Sequence, residues 1–231
     1  MRSAAILFIA AALGVTGCAS IAPSSVREQT QRYSQTITLD AANETGRISL
    51  EEVLADRRST RNFSSTELDM STIGRLLWAG QGITDDAGHR TAPSAGATYP
   101  IELYALTAAT FMHYLPDSHQ VEQRPDSQTL RLLADAAFDQ GFVNDAPTVL
   151  VITGVVSRTE AEYGAVANDF MNREAGHVAQ NILLQATALS LAAVPVGGFE
   201  PAEVARLLAL PPGEEVLYLI PVGHPASVGS D

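Results

Sequence analysis

The chain has 231 residues, of which 14 are basic and 26 acidic, so its formal net charge is −12, and 46% of its residues are hydrophobic. This composition is typical of one globular domain with appendages, and the charge argues against general affinity for nucleic acid or anionic lipid. Every basic residue is arginine, which excludes a Schiff-base lysine. The single cysteine excludes an internal disulfide, a zinc site built from cysteines and an iron–sulfur cluster.

The first 17 residues have the order of an export signal: an arginine, an apolar run over 4–13 that is too short to span a bilayer, and then small residues. The segment Val15-Thr16-Gly17-Cys18 resembles the lipobox of bacterial lipoproteins. We therefore expect a signal peptide at 1–17 and lipidation of Cys18, which would anchor the chain in the bacterial envelope, facing the periplasm. Ala19 follows the cysteine, which by resemblance to lipoprotein sorting signals favours the outer membrane over the inner one. The alternatives are ordinary signal-peptide cleavage and a buried N-terminal element.

Residues 18–46 are rich in serine, threonine and glutamine and show little apolar periodicity, so we interpret them as a tether and extended lead-in. A globular domain is expected over 47–226, with a short tail at 227–231. Its first helix begins at a capping box formed by Ser49 and Glu52 and ends near Arg57.

Periodicity predicts the remaining elements of the domain. We expect helices over residues 71–79, 127–138, 173–192 and 201–208, and strands over 101–108, 110–117, 147–156 and 214–223, with a short continuation after 117. The apolar run 147–156 is typical of a central strand covered on both faces. The helix 173–192 carries apolar residues beyond one stripe, which indicates burial on most sides. Helices and strands do not alternate regularly, and this favours an α+β fold.

The segment 57–61 contains three arginines and two hydroxyl residues just beyond a helix. Guanidinium forks bind phosphate through paired, charge-assisted hydrogen bonds, so the segment is a candidate anion site. The alternative is a solvated helix end whose cations complement the helix dipole and pair with Glu51 or Glu52. Spacing alone does not decide between the two.

Two loops of small side chains, over 90–100 and 195–199, let backbone groups approach a planar ligand, although each could be a simple turn. Tyr99 in the first loop could donate a proton to a substrate or simply pack. No metal site is expected, because the histidines are scattered and no two share helical spacing; they are His89, His113, His119, His177 and His224. We expect His113 on a strand surface and His177 packed or at an interface.

Taken in order, these segments resemble the nitroreductase-like flavoproteins, and among them the branch of SagB-type and thiazole/oxazole-forming dehydrogenases. The resemblance runs from about Ile37 to Pro225, through ISLEEVLADRRSTRNF, RTAPSAGATYPIELYAL, EAGHVAQNILLQATALSLAAVPVGGFE and YLIPVGHP. It implies a nitroreductase-like mixed sheet flanked by helices. It also implies a homodimer with two flavins at the subunit interface, where the long helix would be buried partly by the second subunit.

The resemblance implies FMN as cofactor and assigns its ligands. Arg57, Arg58, Ser59 and Arg61 would hold the phosphate and ribityl chain, with Arg90 as an extra cation. The isoalloxazine ring would be lined by Pro93, Ser94, Ala95 and Gly96, and its other parts would pack against Pro195, Val196, Gly197 and Gly198. Many members of that family carry glutamate where this chain has Gly197, so a side-chain contact to the flavin edge or the substrate is absent here.

The implied activity is that of an FMN-dependent oxidoreductase, which passes hydride through flavin N5 in a ping-pong cycle on an unknown small-molecule substrate. No catalytic side chain is assigned. The family's usual donor, NAD(P)H, is cytosolic, so an exported chain would need a different donor. The alternatives are a catalytically silent FMN-binding lipoprotein and an envelope protein without flavin.

Overall fold

The structure, a computed structural model, describes residues 32–42 and 46–227. The chain divides into a unit of residues 1–32, of which only Arg32 is described, and a unit of residues 33–231. The expected signal peptide, Cys18 and most of the tail lie outside the described residues. Among the described residues, no helix combines the length and the apolar character needed to cross a membrane.

Seven strands form one sheet in the second unit, with the spatial order β1-β4-β3-β2-β5-β7-β6, and every ladder in it is antiparallel. The strands are β1 (Gln35–Thr38), β2 (Ile101–Thr107), β3 (Thr110–Leu115), β4 (Gln120–Pro125), β5 (Thr148–Gly154), β6 (Ala192–Ala193) and β7 (Glu215–Gly223). The sheet therefore takes in β1, from the segment that the sequence assigns to the lead-in. β5 lies between β2 and β7 with all seven residues buried, as its continuous apolar run predicts.

Within residues 46–227, seven helices accompany the sheet. They are α1 (Leu50–Asp56), α2 (Met70–Gln81), α3 (Thr129–Ala136), α4 (Gly141–Asp145), α5 (Ser157–Tyr163), α6 (Ala167–Ala188) and α7 (Pro201–Leu208). The capping box of α1 is confirmed, since the side chains of Ser49 and Glu52 each bond the other's backbone N–H. α2 begins earlier than the sequence predicts because Asp69 caps it by accepting from the N–H of Thr72.

The long helix α6 begins at Ala167, six residues before the predicted start, because Ala167 and Met171 extend its buried stripe through a polar stretch. Its buried residues occupy one face, which is the pattern of a helix lying on a sheet. Arg173 and His177 on the other face are exposed. The expected burial on most sides is therefore not found within one chain, and cover by a second subunit remains a prediction.

Two hydrophobic clusters cover the two faces of the sheet. The first joins α2 and α6 to one face through residues such as Leu77, Ile182 and Ile152. The second joins α3, α4 and α7 to the other face through residues such as Leu133 and Val151. The result is an α+β fold with helices on both faces of an antiparallel sheet, as the sequence predicts for the fold class.

Candidate functional site

The arginine segment (residues 57–61) follows α1 directly and is tied to the edge of the sheet. The N–H of Thr60 donates to the carbonyl of Ala193 in β6, at 3.0 Å. Arg58 closes the end of α1, because its Nη1 donates to the carbonyls of Ala55 and Arg57 at 2.8 and 2.9 Å. Arg61 is exposed and lies over the ring of Phe142, with 5.4 Å from Cζ to the ring centroid. Arg58 thus fits the helix-end interpretation, while Arg61 remains available to an anion.

The diglycine loop (residues 195–198) runs beside β7, where Val196 and Leu219 exchange two backbone hydrogen bonds of 2.8 and 3.0 Å. Gly197 and Gly198 are exposed. A Cβ built on Gly197 would come no closer than 4.0 Å to any neighbour, and one on Gly198 no closer than 3.9 Å. Packing within this chain therefore does not require glycine at either position. Their bare backbone leaves room for a flat ligand to approach.

The segment between α3 and α4 faces the diglycine loop. The Gln140 amide donates to the carbonyls of Ala137 and Gly198, at 2.7 and 2.9 Å. Phe138 is exposed and has a positive φ of 56°, and it is among the nearest side chains to Gly198. The sequence does not indicate Gln140 or Phe138, because nothing in their local sequence marks a contact with a loop some 60 residues away.

The proline–serine loop (residues 93–100) lies at the other end of the sheet. β2 starts immediately after it, with Ile101 paired to Gly154. At the opposite end of β2, Thr107 pairs with Thr148, which in turn pairs with Val222, the partner of Ala193. Seven residues of β2 separate the two ends, a distance of about 20 Å at the usual rise of a strand.

One chain therefore brings together the arginine segment and the diglycine loop but not the proline–serine loop. The predicted lining residues Pro93, Ser94, Ala95 and Gly96 precede the end of β2 that lies opposite the arginine segment.

The proline–serine loop has its own buried polar cluster. Glu174 of α6 is buried and bonds Ser94 and Gln81, and burial raises the pKa of its carboxyl above the usual range. Arg90 donates to the Gln81 side-chain oxygen at 2.9 Å and lies 4.3 Å from the centroid of the Tyr99 ring. The Arg90 Nε is buried and has no hydrogen-bond partner among the described residues. Arg90, which the sequence offered as an extra cation, thus lies by the proline–serine loop and not by the arginine segment.

A second polar network follows the start of β2. Both nitrogens of His113 are bonded, Nε2 to Glu102 at 2.8 Å and Nδ1 to Glu122 at 2.9 Å. Burial by itself would lower the pKa of His113, but the hydrogen bonds and charges of the two glutamates outweigh it and raise the pKa to about 9. The prediction that His113 is strand surface is wrong, because its side chain is only 16% exposed. Among the described residues, no three His, Cys, Asp or Glu side chains are grouped to hold a metal ion.

An apolar groove opens between α1, α2 and α6, on the outer side of the first hydrophobic cluster. Its cavity measures about 340 Å³ and is lined by Ile48, Leu50, Trp78, Leu184 and other residues. Leu50 is 60% exposed, although it begins a helix whose Val53 is buried. This face presents apolar surface to its surroundings.

Comparison with known proteins identifies the family of this architecture. Residues 54–224 match the model of the nitroreductase family, which is most of the chain. A Methanocaldococcus jannaschii protein, provisionally named a nitroreductase, is 39% identical over 183 residues, covering 77% of this chain and 91% of the relative. The chain belongs to the nitroreductase family and is an oxidoreductase of that family.

Solved structures support the same fold. A provisionally named nitroreductase of Ralstonia eutropha superposes with a TM-score of 0.76 at 29% identity, covering 84% of this chain and 91% of that one. The NADPH:FMN oxidoreductase of Vibrio harveyi, solved with NAD+, superposes with a TM-score of 0.58 at 24% identity, covering 76% of this chain and 68% of that one. The second similarity concerns the fold alone.

Proposed function

We propose that this protein is an FMN-dependent oxidoreductase of the SagB-type dehydrogenase branch, acting on a small-molecule substrate through a ping-pong cycle. One hydrogen bond carries the proposal. The N–H of Thr60, in the arginine segment, donates to the carbonyl of Ala193, in the edge strand that precedes the diglycine loop. This bond ties a cationic segment to the strand that leads into the exposed glycine backbone. Bound FMN would supply hydride acceptance and donation, while the protein positions the ring and excludes water.

The arginine segment fits the phosphate end of the cofactor. Exposed guanidinium groups provide planar forks that match a phosphate, and the chain has no lysine to replace them. Arg61 is the strongest ligand candidate, since its side chain is exposed and lies over an aromatic ring, whereas Arg58 already donates to two carbonyls. We assign the phosphate to Arg57, Ser59 and Arg61, with Arg58 fixing the end of α1.

The diglycine loop and Gln140 fit the ring of the cofactor. The backbone at Gly197 and Gly198 is open, and the Gln140 amide holds the carbonyl of Gly198 in place. The exposed ring of Phe138 stands beside it. These groups form a small aromatic and amide surface on which a planar ring system can lie.

The position of the proline–serine loop supports a homodimer. That loop is about 20 Å from the arginine segment in its own chain, so the partner's copy would line the ring. The apolar groove at α1, α2 and α6 and the exposed Leu50 provide the surface that such an interface would bury.

The electron donor depends on where the protein resides. We propose lipid anchoring at Cys18, with the domain facing the periplasm and most simply on the outer membrane, on the strength of the lipobox-like segment. NAD(P)H would serve only a cytosolic protein, and an anchored one would take electrons from a substrate, a quinol or a protein partner.

The test is a visible absorption spectrum of the full chain purified from its native envelope, followed by anaerobic titration with NADH, NADPH and a quinol. We expect a flavin spectrum that is bleached by at least one donor. A flavin that no donor reduces would favour the silent FMN-binding lipoprotein. A colourless protein that also fails to bind added FMN would refute the proposal.

A further inference from the structure

The backbone of Tyr99 adopts a conformation that its sequence disfavours. Its φ is +44°, in the left-handed region that bulky side chains rarely enter. It also precedes Pro100, whose ring favours extended backbone in the preceding residue. Gly96 and Ala97 have positive φ as well, 59° and 53°. A non-glycine residue held at such a φ costs about 1–3 kcal/mol, and the conformation persists only where contacts with the surrounding structure fix it.

Three groups hold Tyr99 in this conformation. Its N–H donates to Ser94 Oγ at 2.9 Å, and its ring lies under the Arg90 guanidinium at 4.3 Å. Its carbonyl accepts from Arg158 Nη1 at 3.1 Å. The first two contacts come from the proline–serine loop and its immediate flank. Of the three groups, Arg158 is the one on a separate element, α5, to which the loop is also joined by the hydrogen bond of 2.8 Å between the hydroxyls of Thr98 and Thr159.

Arg158 is itself held by the polar network of the sheet. Its Nη2 bonds Glu102 Oε1, and the other oxygen of Glu102 accepts from His113. Glu102 is 16% exposed and Arg158 is 43% exposed, so the arginine lies at the solvent end of the network. Burial by itself would raise the pKa of the Glu102 carboxyl, but the hydrogen bonds and charges of His113 and Arg158 outweigh it and keep that pKa below its usual range. A fixed carboxylate thus aims the guanidinium at the Tyr99 carbonyl.

We propose that Arg158 is a positioning residue, which holds the carbonyl of Tyr99 so that Gly96, Ala97 and Tyr99 keep the positive φ angles with which the loop meets bound flavin. This inference rests on the proposed function, because it concerns the loop expected to line the ring. Arg158 does not contact the cofactor. It acts through Tyr99, and Glu102 acts through Arg158.

The chemistry requires arginine at this position. The guanidinium donates to the Tyr99 carbonyl through one nitrogen and to Glu102 through another, which a planar fork can do at once. A lysine offers a compact ammonium on a flexible stem and would favour one partner over the other. Arg158→Lys should therefore restore only part of what Arg158→Gln removes.

The experiment compares the full-length wild-type protein with Arg158→Gln, Arg158→Lys and Glu102→Gln. Arg206→Gln is the matched control, because Arg206 pairs with Glu203 on the exposed surface of α7. The first measurement is amide hydrogen exchange over residues 93–100 without FMN. The second is FMN affinity, followed by flavin fluorescence.

We expect faster exchange over 93–100 and about tenfold weaker FMN binding in Arg158→Gln, the change that loss of one charge-assisted hydrogen bond produces. Arg158→Lys should fall between Arg158→Gln and wild type, and Glu102→Gln should shift both readouts in the same direction as Arg158→Gln. Arg206→Gln should match wild type. If wild type binds FMN but Arg158→Gln leaves exchange and affinity unchanged, the role of Arg158 is refuted. If wild type binds no FMN, the proposed function fails instead, and the exchange measurement still shows whether Arg158 holds the loop.

Discussion

The buried His113 gives a pH dependence of stability that can be worked out from the structure. Its pKa is raised from 6.5 to about 9 in the folded chain by the hydrogen bonds and charges of Glu102 and Glu122, which exceed the opposing effect of burial. A histidine whose folded pKa lies above its unfolded value stabilises the fold fully below pH 6.5. That stabilisation is lost as the pH rises toward 9.

The size of the effect follows from the pKa shift. At about 1.4 kcal/mol per pKa unit, a rise from 6.5 to about 9 corresponds to roughly 3 kcal/mol of the free energy of unfolding. This is a large part of the stability of a typical domain. His113→Gln cannot take up a proton, so its free energy of unfolding should lack this component of the pH dependence.

The assay is urea unfolding at pH 6, 7, 8 and 9, followed by the fluorescence of Trp78, the only tryptophan. The difference between wild type and His113→Gln should shrink by roughly 3 kcal/mol across this range. His177→Gln, which removes an exposed histidine from α6, should follow wild type. Equal pH slopes for wild type and His113→Gln would show that the glutamates do not hold a proton on His113.

Four further variants test other parts of the structure. Gly96→Ala should lower the free energy of unfolding by about 1–3 kcal/mol, because Gly96 has a φ of +59° and a Cβ there would lie 2.5 Å from a Glu162 oxygen. Gly197→Ala has open space for its Cβ, so it should leave the melting temperature unchanged yet weaken FMN binding. A Gly197→Ala protein less stable than Gly96→Ala would contradict the glycine argument. Arg61→Gln should weaken FMN binding about tenfold but leave riboflavin binding unchanged, because riboflavin lacks the phosphate; an equal loss for both ligands in a fluorescence titration would argue against a phosphate site. Leu50→Arg should shift the protein toward monomer in light scattering, and a wild type that is already monomeric would contradict the dimer.

Local signals in the sequence predicted much of the fold. The capping box at Ser49 fixes the start of α1, and the apolar run over 147–156 marks β5, because both depend on neighbouring residues. The helix beginning at Pro201 is found over the predicted residues 201–208. The short helices α4 and α5 were missed, since their few residues show no periodicity and depend on tertiary packing.

The candidate site was only partly predictable. The arginine segment and both loops carry recognisable residue patterns, but the contacts that organise them join distant parts of the chain. Gln81 and Glu174 are 93 residues apart, and Glu102 and Arg158 are 56 apart. The left-handed backbone of Tyr99 opposes its local preference, and such local conflicts are expected at functional sites. No local pattern could have indicated these features.

The central claim is that this chain binds FMN through the arginine segment. The most direct measurement is a titration of the full-length protein with FMN, in which flavin fluorescence gives the affinity and a thermal melt gives the stabilisation. We predict saturable binding at one FMN per chain, with a gain of about 2.7 kcal/mol in the free energy of unfolding when free FMN reaches a hundred times Kd. No binding, together with a melting temperature that FMN does not change, would contradict the account.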